Sequence, residues 1–328
     1  MRAVVITKPG GPEVLDVRQV PEPKAGPGEV LVRVKASALN RADLLQREGH
    51  YPAPPGSPTD VPGLEFAGEI AVLGAGVDRW RVGDRVFGIV GGGAHAEYVV
   101  THADALAAIP ANLSWIEAAA VPEVFITAHD ALVTQAQLRP GENVLIHAVA
   151  SGVGIAATQL ARAWGGRPYG TVRTPAKLDA VRQYGLIDGI GVGDDPQSVV
   201  ARAQEWTGGH GMDVTLDLVG GPYLDASISA AALKGRIVLI GTMAGRTATI
   251  SVGTVLGKRL TIRGTVLRSR GLEEKVAATE AFVRDVVPLL ASGEVRPTVD
   301  CVFALRDVAQ AHRRLASNAT VGKVVLSF

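Results

Sequence analysis

Residues Asn143 to Gly165 read NVLIHAVASGVGIAATQLARAWG: a short apolar run, a loop of small residues, then directly a helical pattern. Ile155, Ala156, Leu160, Ala163 and Trp164 recur at helical spacing, and Ala157 and Ala161 permit close packing on a sheet. Strand, tight turn and helix in that order suit a dinucleotide pyrophosphate. Backbone N–H groups at the positive end of a helix reach phosphates only where side-chain bulk is small. The loop Ala148–Gly154 is not a strict GxGxxG, because Ala148 and Ser151 stand where that pattern has glycine. Alone it also fits an ordinary tight turn; the strand and helix series on its C-terminal side favours the nucleotide reading.

In that series, strands are expected at 169–172, 189–192, 214–219, 236–241 and 259–265, and helices at 175–184, 196–206 and 223–233. Pro175, Pro196 and Pro222 fall at first helical turns, where a missing N–H costs little. The alternation predicts an α/β class with a doubly wound, largely parallel sheet. On the N-terminal side the text is β-rich. Runs at 2–7, 14–20, 29–36, 66–72, 84–90 and 95–100 are punctuated by Gly and Pro, which suggests a curled, barrel-like unit. Helices are expected at 40–48, 115–120, 127–135 and 272–290, and strand-like text resumes at 299 and ends at Phe328.

Composition narrows the class. The 328 residues carry 33 Lys and Arg against 32 Asp and Glu, a formal charge of +1, so no basic excess recruits nucleic acid or an anionic membrane. Cys301 is the sole cysteine, which excludes an intrachain disulfide and a cysteine-based zinc cluster. The apolar runs stop well short of a membrane span of about 20 residues, and no signal-like start is seen. The expectation is a cytoplasmic protein without membrane or nucleic-acid partners.

The end of the strand after the turn discriminates between cofactors. A carboxylate there accepts hydrogen bonds from both hydroxyls of an adenosine ribose and repels a phosphate. The chain has Arg173-Thr174-Pro175-Ala176-Lys177 instead, with Thr174 placed to cap a helix. This reads as a 2′-phosphate site and so as NADPH; two solvated surface cations are the plainer alternative. Ser151 reads as a cofactor hydrogen-bonding residue, since no elbow motif marks it as a nucleophile. His147, at the strand end, reads as a framework residue, and His50 as a surface loop histidine.

These residues, with Lys8-Pro9-Gly10-Gly11-Pro12-Glu13, Ala38 to Leu44, Gly63-Leu64-Glu65, Ala119 to Glu123 and Leu267 to Arg270, carry a resemblance along nearly the whole chain. The chain resembles the zinc-free, zeta-crystallin-like quinone oxidoreductases of the medium-chain dehydrogenase/reductase superfamily. The resemblance implies a GroES-like catalytic domain over 1–123, completed by 298–328, and a Rossmann NADPH-binding domain over 124–297. It implies a homodimer. It implies that Asn40 and Tyr51 border nicotinamide and substrate as the catalytic pair. Thr127, Ser151, Gly152, Val153, Gly154, Arg173, Lys177, Gly241, Thr242, Met243, Leu267, Arg268, Ser269 and Lys323 are expected to meet the cofactor. Zinc-bearing relatives have a cysteine near Asn40 and a histidine where Leu64 stands, so no metal is expected. Val192 stands where the family often has a tyrosine for the adenosine phosphate.

The implied chemistry is hydride transfer from NADPH to a quinone. A quinone is electron-poor, so orientation, water exclusion and a few hydrogen bonds suffice. Reduction of an enal or enone C=C bond is the alternative; it needs a placed proton donor such as Tyr51. A cofactor-binding protein with a mainly structural or RNA-associated role is a third possibility. Asn40 also fits a helix cap, and Tyr51 a packed loop aromatic.

Overall fold

The computed structural model describes residues 1–328 and divides into two compact units, Met1–Ile126 with Leu267–Phe328, and Thr127–Val266. The first holds β1 (Arg2–Ile6), β2 (Leu15–Gln19), β3 (Glu29–Ala38), β4 (Glu65–Leu73), β5 (Arg85–Ile89), β6 (Tyr98–His102) and β7 (Leu106–Ala108). The second holds β8 (Asn143–Ile146), β9 (Arg167–Val172), β10 (Asp188–Gly191), β11 (Met212–Asp217), β12 (Ala231–Leu239) and β13 (Thr261–Gly264). The chain then returns to the first with β14 (Val299–Ala304) and β15 (Lys323–Ser327).

In the first unit, β3 is the hub. It alternates buried Val30, Val32 and Val34 with Arg33 and Lys35, as the period of two requires. It pairs antiparallel with β4, with β6 and with the returning β15, where Val325 faces Ala38. The tail thus completes this sheet, whose order runs β14-β15-β3-β4-β5-β7. Val30, Val32, Val34, Phe66, Ile70 and Val86 pack inside it as one core. Its C-terminal return begins earlier than the expected residue 298, because 267–297 is anchored here. Phe282 packs on Phe87 at 5.8 Å, and Asn112 Nδ2 donates to the Leu290 carbonyl. The single helix expected over 272–290 is two, Leu272–Asp285 and Val287–Ser292, since Pro288 lacks the N–H that would continue the ladder.

The second unit is a six-stranded parallel sheet in the order β10-β9-β8-β11-β12-β13. Strand order reverses between β8 and β11, so the loop leaving β8 lies at the topological switch point, where doubly wound sheets bind ligands. Leu145, Tyr169, Val199, Met212 and Ala226 form a core of this unit, with Trp206 stacked on Tyr169 at 5.1 Å. Several helical segments differ from expectation. Pro122–His129 starts five residues early and runs on as a π-turn at Asp130–Gln135. Residues 175–184 split into a 3-10 turn Pro175–Lys177 and a helix Leu178–Arg182. Val252–Lys258 and Val308–Ala316 are helices that the sequence pattern does not announce. No helix is long and apolar enough to cross a membrane.

Candidate active and nucleotide sites

The turn after β8 is built for close approach. Ala148 takes a left-handed conformation (φ 51°), and the Ser151 N–H donates to its carbonyl at 2.9 Å. Ser151 caps helix Gly152–Ala163, its Oγ accepting from the Gly154 N–H at 3.1 Å. The hydroxyl hydrogen is left to donate, and the first-turn amides of Gly152 and Val153 have no intrahelical acceptor. A Cβ on Gly154 would lie 2.6 Å from the Val149 carbonyl oxygen, so only glycine lets the helix sit this low on the loop. Gly152 and Val153 are half-exposed and Ser151 is exposed.

His147, fully buried under the turn, is the framework residue expected. Its Nε2 is 3.0 Å from Ser227 Oγ, and its Nδ1 is 2.9 Å from Thr171 Oγ1. Ser227 gives its own hydrogen to the Tyr223 carbonyl, so Nε2 is the protonated nitrogen of a neutral ring. Burial lowers its pKa to about 4, against the raising effect of Asp217. The Tyr223 ring meets the imidazole edge-on at 4.9 Å. At the end of β11, Asp217 Oδ1 accepts from the Val219 and Gly220 amides, while its buried Oδ2 has no partner. Gly241 lies against this corner, where a Cβ would come within 2.4 Å of the Leu218 carbonyl oxygen. Thr242 and Met243 beyond it are both exposed.

Arg173 stands exposed at the end of β9, and its charge acts on the Tyr223 hydroxyl. Lys177 is half-exposed in the 3-10 turn. Thr174 holds the cap position but makes no side-chain cap bond, contrary to expectation; its ψ of 114° leads into a 3-10 turn. Val192 is buried in the core with Tyr169, so it offers nothing to a phosphate. Thr127 is buried at the start of this unit.

The first unit contains a buried polar cluster that the sequence pattern does not reveal. Asn40 caps helix Arg41–Arg47 through a capping box with Asp43, in keeping with its fit to a cap position. Its side chain does more: Nδ2 donates to Glu65 Oε1 at 2.9 Å, and Oδ1 accepts from Lys323 Nζ at 2.6 Å. Lys323 Nζ is also 2.7 Å from the Leu39 carbonyl and 2.6 Å from Glu65 Oε1. All three ammonium hydrogens are thereby engaged inside the protein, one of them on the Asn40 side chain that Lys323 orients. Glu65 Oε2 accepts the backbone N–H of Glu123 at 2.9 Å. His95 lies behind this layer, its Nδ1 2.8 Å from Ser37 Oγ, with burial lowering its pKa.

Arg268, expected at the cofactor, is likewise buried within this unit. It donates to the Gly91 carbonyl at 2.8 Å, the Tyr51 carbonyl at 3.3 Å and Gln46 Oε1 at 2.5 Å. Its guanidinium lies 4.9 Å from the centre of the Tyr51 ring. The stretch Leu267-Arg268-Ser269 therefore fixes the Tyr51 loop through Arg268; Leu267 is buried and Ser269 exposed. Tyr51 is half-buried, and burial raises its hydroxyl pKa, opposed by Arg268 and reinforced by Glu123. His50 is exposed on the loop. The clue to the cluster was Glu65 itself, a carboxylate in the apolar text LEFAG, which can be buried only with partners.

No group of three or more His, Cys, Asp or Glu side chains is arranged to hold a metal ion. A six-stranded nucleotide-type sheet with a serine-capped helix at its switch point, joined to a β-rich unit closed by the C-terminal strand, defines a two-domain dehydrogenase or reductase. Comparisons with known proteins agree. Residues 26–111 match the alcohol dehydrogenase GroES-like domain and residues 152–284 the zinc-binding dehydrogenase domain. A quinone oxidoreductase of Pseudomonas aeruginosa is 35% identical over 97% of this chain and 96% of its own. Among solved structures, a mycobacterial protein complexed with NADPH superposes with a TM-score of 0.87 at 29% identity, covering 100% of both chains. The JamJ enoyl reductase gives 0.87 at 26% identity, covering 99% of this chain and 98% of that one. The chain belongs to the zinc-independent, zeta-crystallin-like quinone oxidoreductase family of the medium-chain dehydrogenase/reductase superfamily.

Proposed function

We infer that the protein is an NADPH-linked quinone reductase that works by hydride transfer without a metal ion. The observation that carries the cofactor assignment is the pairing of the capped turn at the switch point with Arg173 and Lys177 at the end of the next strand. No carboxylate stands where a ribose-binding acid would. The second unit's residues fit such a group. The Gly154 position admits no Cβ, the Gly152 and Val153 amides have no helical acceptor, and Asp217 Oδ2 is a buried acceptor without a donor. When bound, NADPH supplies a hydride from its nicotinamide ring.

The chain's own residues then bind, orient and protonate. Ser151 with the two open amides takes the pyrophosphate, and Arg173 with Lys177 takes the 2′-phosphate. Asn40, with its amide clamped between Glu65 and Lys323, presents one fixed rotamer to the acceptor ring. Tyr51 keeps its proton at neutral pH and offers an O–H to a quinone oxygen. The name of the Pseudomonas relative and the NADPH-bound mycobacterial neighbour support this reading. A second reading, reduction of an activated C=C bond, has support in the protonated Tyr51 and in the enoyl reductase neighbour.

Stopped-flow oxidation of NADPH, with matched NADH, against quinones and against enals and enones tests both. Fast NADPH-dependent quinone turnover is expected. Silence with quinones and clean alkene reduction would move the acceptor, and tight NADPH binding without any turnover would end the enzymatic reading. We further propose a homodimer. Open edge strand β13 is preceded in the chain by exposed Val252 and Leu256, which supports association there. Sedimentation equilibrium checks it: a monomer at micromolar concentration overturns it.

A further inference from the structure

Helix Leu272–Asp285 lays one stripe of side chains against the first unit, in which Thr279, Phe282 and, just past its end, Val286 are buried. Lys275 stands four residues before Thr279, in line with that apolar stripe, and is half-buried. With Ile89, Ala105, Leu267 and Thr279 it lines a cavity of about 10 Å³, room for one water at most. An ammonium so placed is costly without a counter-ion, and the fold supplies none. Its neighbours three and four positions away on the helix are Gly271, Leu272, Ala278 and Thr279, none of them charged. Thr279 Oγ1 gives its hydrogen to the Lys275 carbonyl at 2.9 Å, and no protein group accepts from Nζ. Glu273 and Glu274 are exposed, and the nearby positive end of the helix disfavours a cation. Burial, and then the charge of Arg268, lower the Lys275 pKa. Placement rules broken in this way, without compensation inside the protein, mark functional positions.

The charge stands on the wall that carries the Tyr51 loop. Leu267 shares the cavity with Lys275, and the next residue, Arg268, donates to the Tyr51 carbonyl at 3.3 Å and lies 4.9 Å from the Tyr51 ring centre. The Arg268 hydrogen bonds go to Gly91, Tyr51 and Gln46. Lys275 is the cation of this wall whose hydrogens are all open to a ligand.

We propose that Lys275 is a specificity residue of the acceptor site, its ammonium selecting acceptors that carry a carboxylate or sulfonate over neutral ones with the same ring system. The role rests on the reductase reading and is one of binding and orientation. Hydride and proton are delivered as to a neutral quinone, while Lys275 makes a charge-assisted bond to the anionic substituent.

Turnover of a sulfonated anthraquinone and of its neutral hydroxymethyl counterpart, each with NADPH, gives the ratio of the two kcat/KM values. In Lys275→Met that ratio is expected to fall about 10- to 100-fold, the range for losing a hydrogen bond to a charged group. Lys275→Arg should hold it within about threefold, because the positive charge is kept. Added salt should lower the wild-type ratio and leave that of Lys275→Met unmoved. Since the ammonium gains nothing from the folded protein, Lys275→Met should also shift the urea midpoint upward. A ratio that Lys275→Met does not change, in a wild type that reduces both quinones, overturns the proposal and leaves the reductase reading intact. A lowered urea midpoint together with that unchanged ratio would make Lys275 a structural residue. A wild type that reduces neither quinone removes the reductase reading, and the selecting role with it.

Discussion

Around Glu65, the Asn40 amide, the Lys323 ammonium and the Glu123 N–H are bonded to one carboxylate and shielded from water. At the nucleotide turn, Ser151 and Arg173 stand in solvent, and the amides of Gly152 and Val153 open toward it. Both regions are polar, and they differ in what completes their hydrogen bonds. A buried charge is tolerated only when its hydrogen bonds are completed by the protein, so the Glu65 carboxylate is satisfied at folding and holds the Asn40 side chain in place. A site for a polyanion keeps its donors in water until the anion arrives, so the second region contributes to binding and little to stability.

The widest gap between the two regions should come from Lys323→Met. It strips Glu65 and Asn40 of their shared donor and leaves a buried carboxylate uncompensated, a loss of about 3–5 kcal/mol. Urea unfolding checks it; a loss below about 1 kcal/mol would mean that water enters the cluster and that the two regions do not differ in this way. Next in size is a pair of opposed pH effects. Glu123 has its pKa raised from 4.5 to about 7, so its contribution to stability is complete below 4.5 and is lost as pH rises through 7. His147 has its pKa lowered from 6.5 to about 4, so its contribution is complete above 6.5 and is lost as pH falls through 4. Each amounts to about 3 kcal/mol, and between pH 4.5 and 6.5 the two slopes cancel. Relative to the wild type, Glu123→Gln should therefore make stability climb more steeply with pH in that window and His147→Gln less steeply, while buried His95 and His312, whose pKa values are also lowered, add the same rising slope to both variants. Unfolding at pH 4.5, 5.5 and 6.5 reads the signs directly; equal slopes in the two variants would refute the opposition.

A smaller effect on stability, with a large one on binding, is expected for Arg173→Ala with Lys177→Ala. Unfolding should shift by no more than about 1 kcal/mol, since Arg173 is exposed and Lys177 half-exposed. Loss of charge-assisted contacts worth about 1.5–3 kcal/mol should weaken NADPH about 10- to 100-fold and NADH hardly at all. Calorimetry with both cofactors checks it, and equal losses would remove the 2′-phosphate assignment.

The sequence made the second region legible and hid the first. The parallel sheet, the turn 148–154 and the framework role of His147 follow from local periodicity and from small residues at a strand end. Ser151, Gly154 and Arg173 lie within one strand-turn-helix-strand run, so their neighbourhood is written in order. Asn40 and Lys323 are 283 residues apart, and only the pairing of β15 with β3 brings them together. For the same reason, the resemblance put Lys323 and Arg268 among the cofactor residues, while their hydrogen bonds in the structure run to Glu65 and the Tyr51 loop. Their burial depends on partners that no window of sequence contains. The helix Val308–Ala316 stayed hidden because its text, VAQAHRRLA, sets His312, Arg313 and Arg314 among alanines over a narrow apolar face.

The smallest expected effect separates two residues of the nucleotide region that look alike in sequence. Ser151 and Thr174 are hydroxyl residues at consecutive strand ends, each before a helical turn. Only Ser151 receives a backbone N–H, from Gly154 at 3.1 Å. Ser151→Ala should cost about 1 kcal/mol, the usual value of a lost cap, and Thr174→Ala less than about 0.5 kcal/mol, since no bond is removed. The cofactor should reverse nothing in that order, because in the proposed site the Ser151 hydroxyl hydrogen is the donor to the pyrophosphate while its oxygen accepts from the Gly154 N–H. Saturating NADPH should instead widen the gap, adding a lost ligand bond to the lost cap at Ser151 alone. A gap that stays constant from free to saturated protein would confine Ser151 to capping and leave pyrophosphate binding to the amides of Gly152 and Val153.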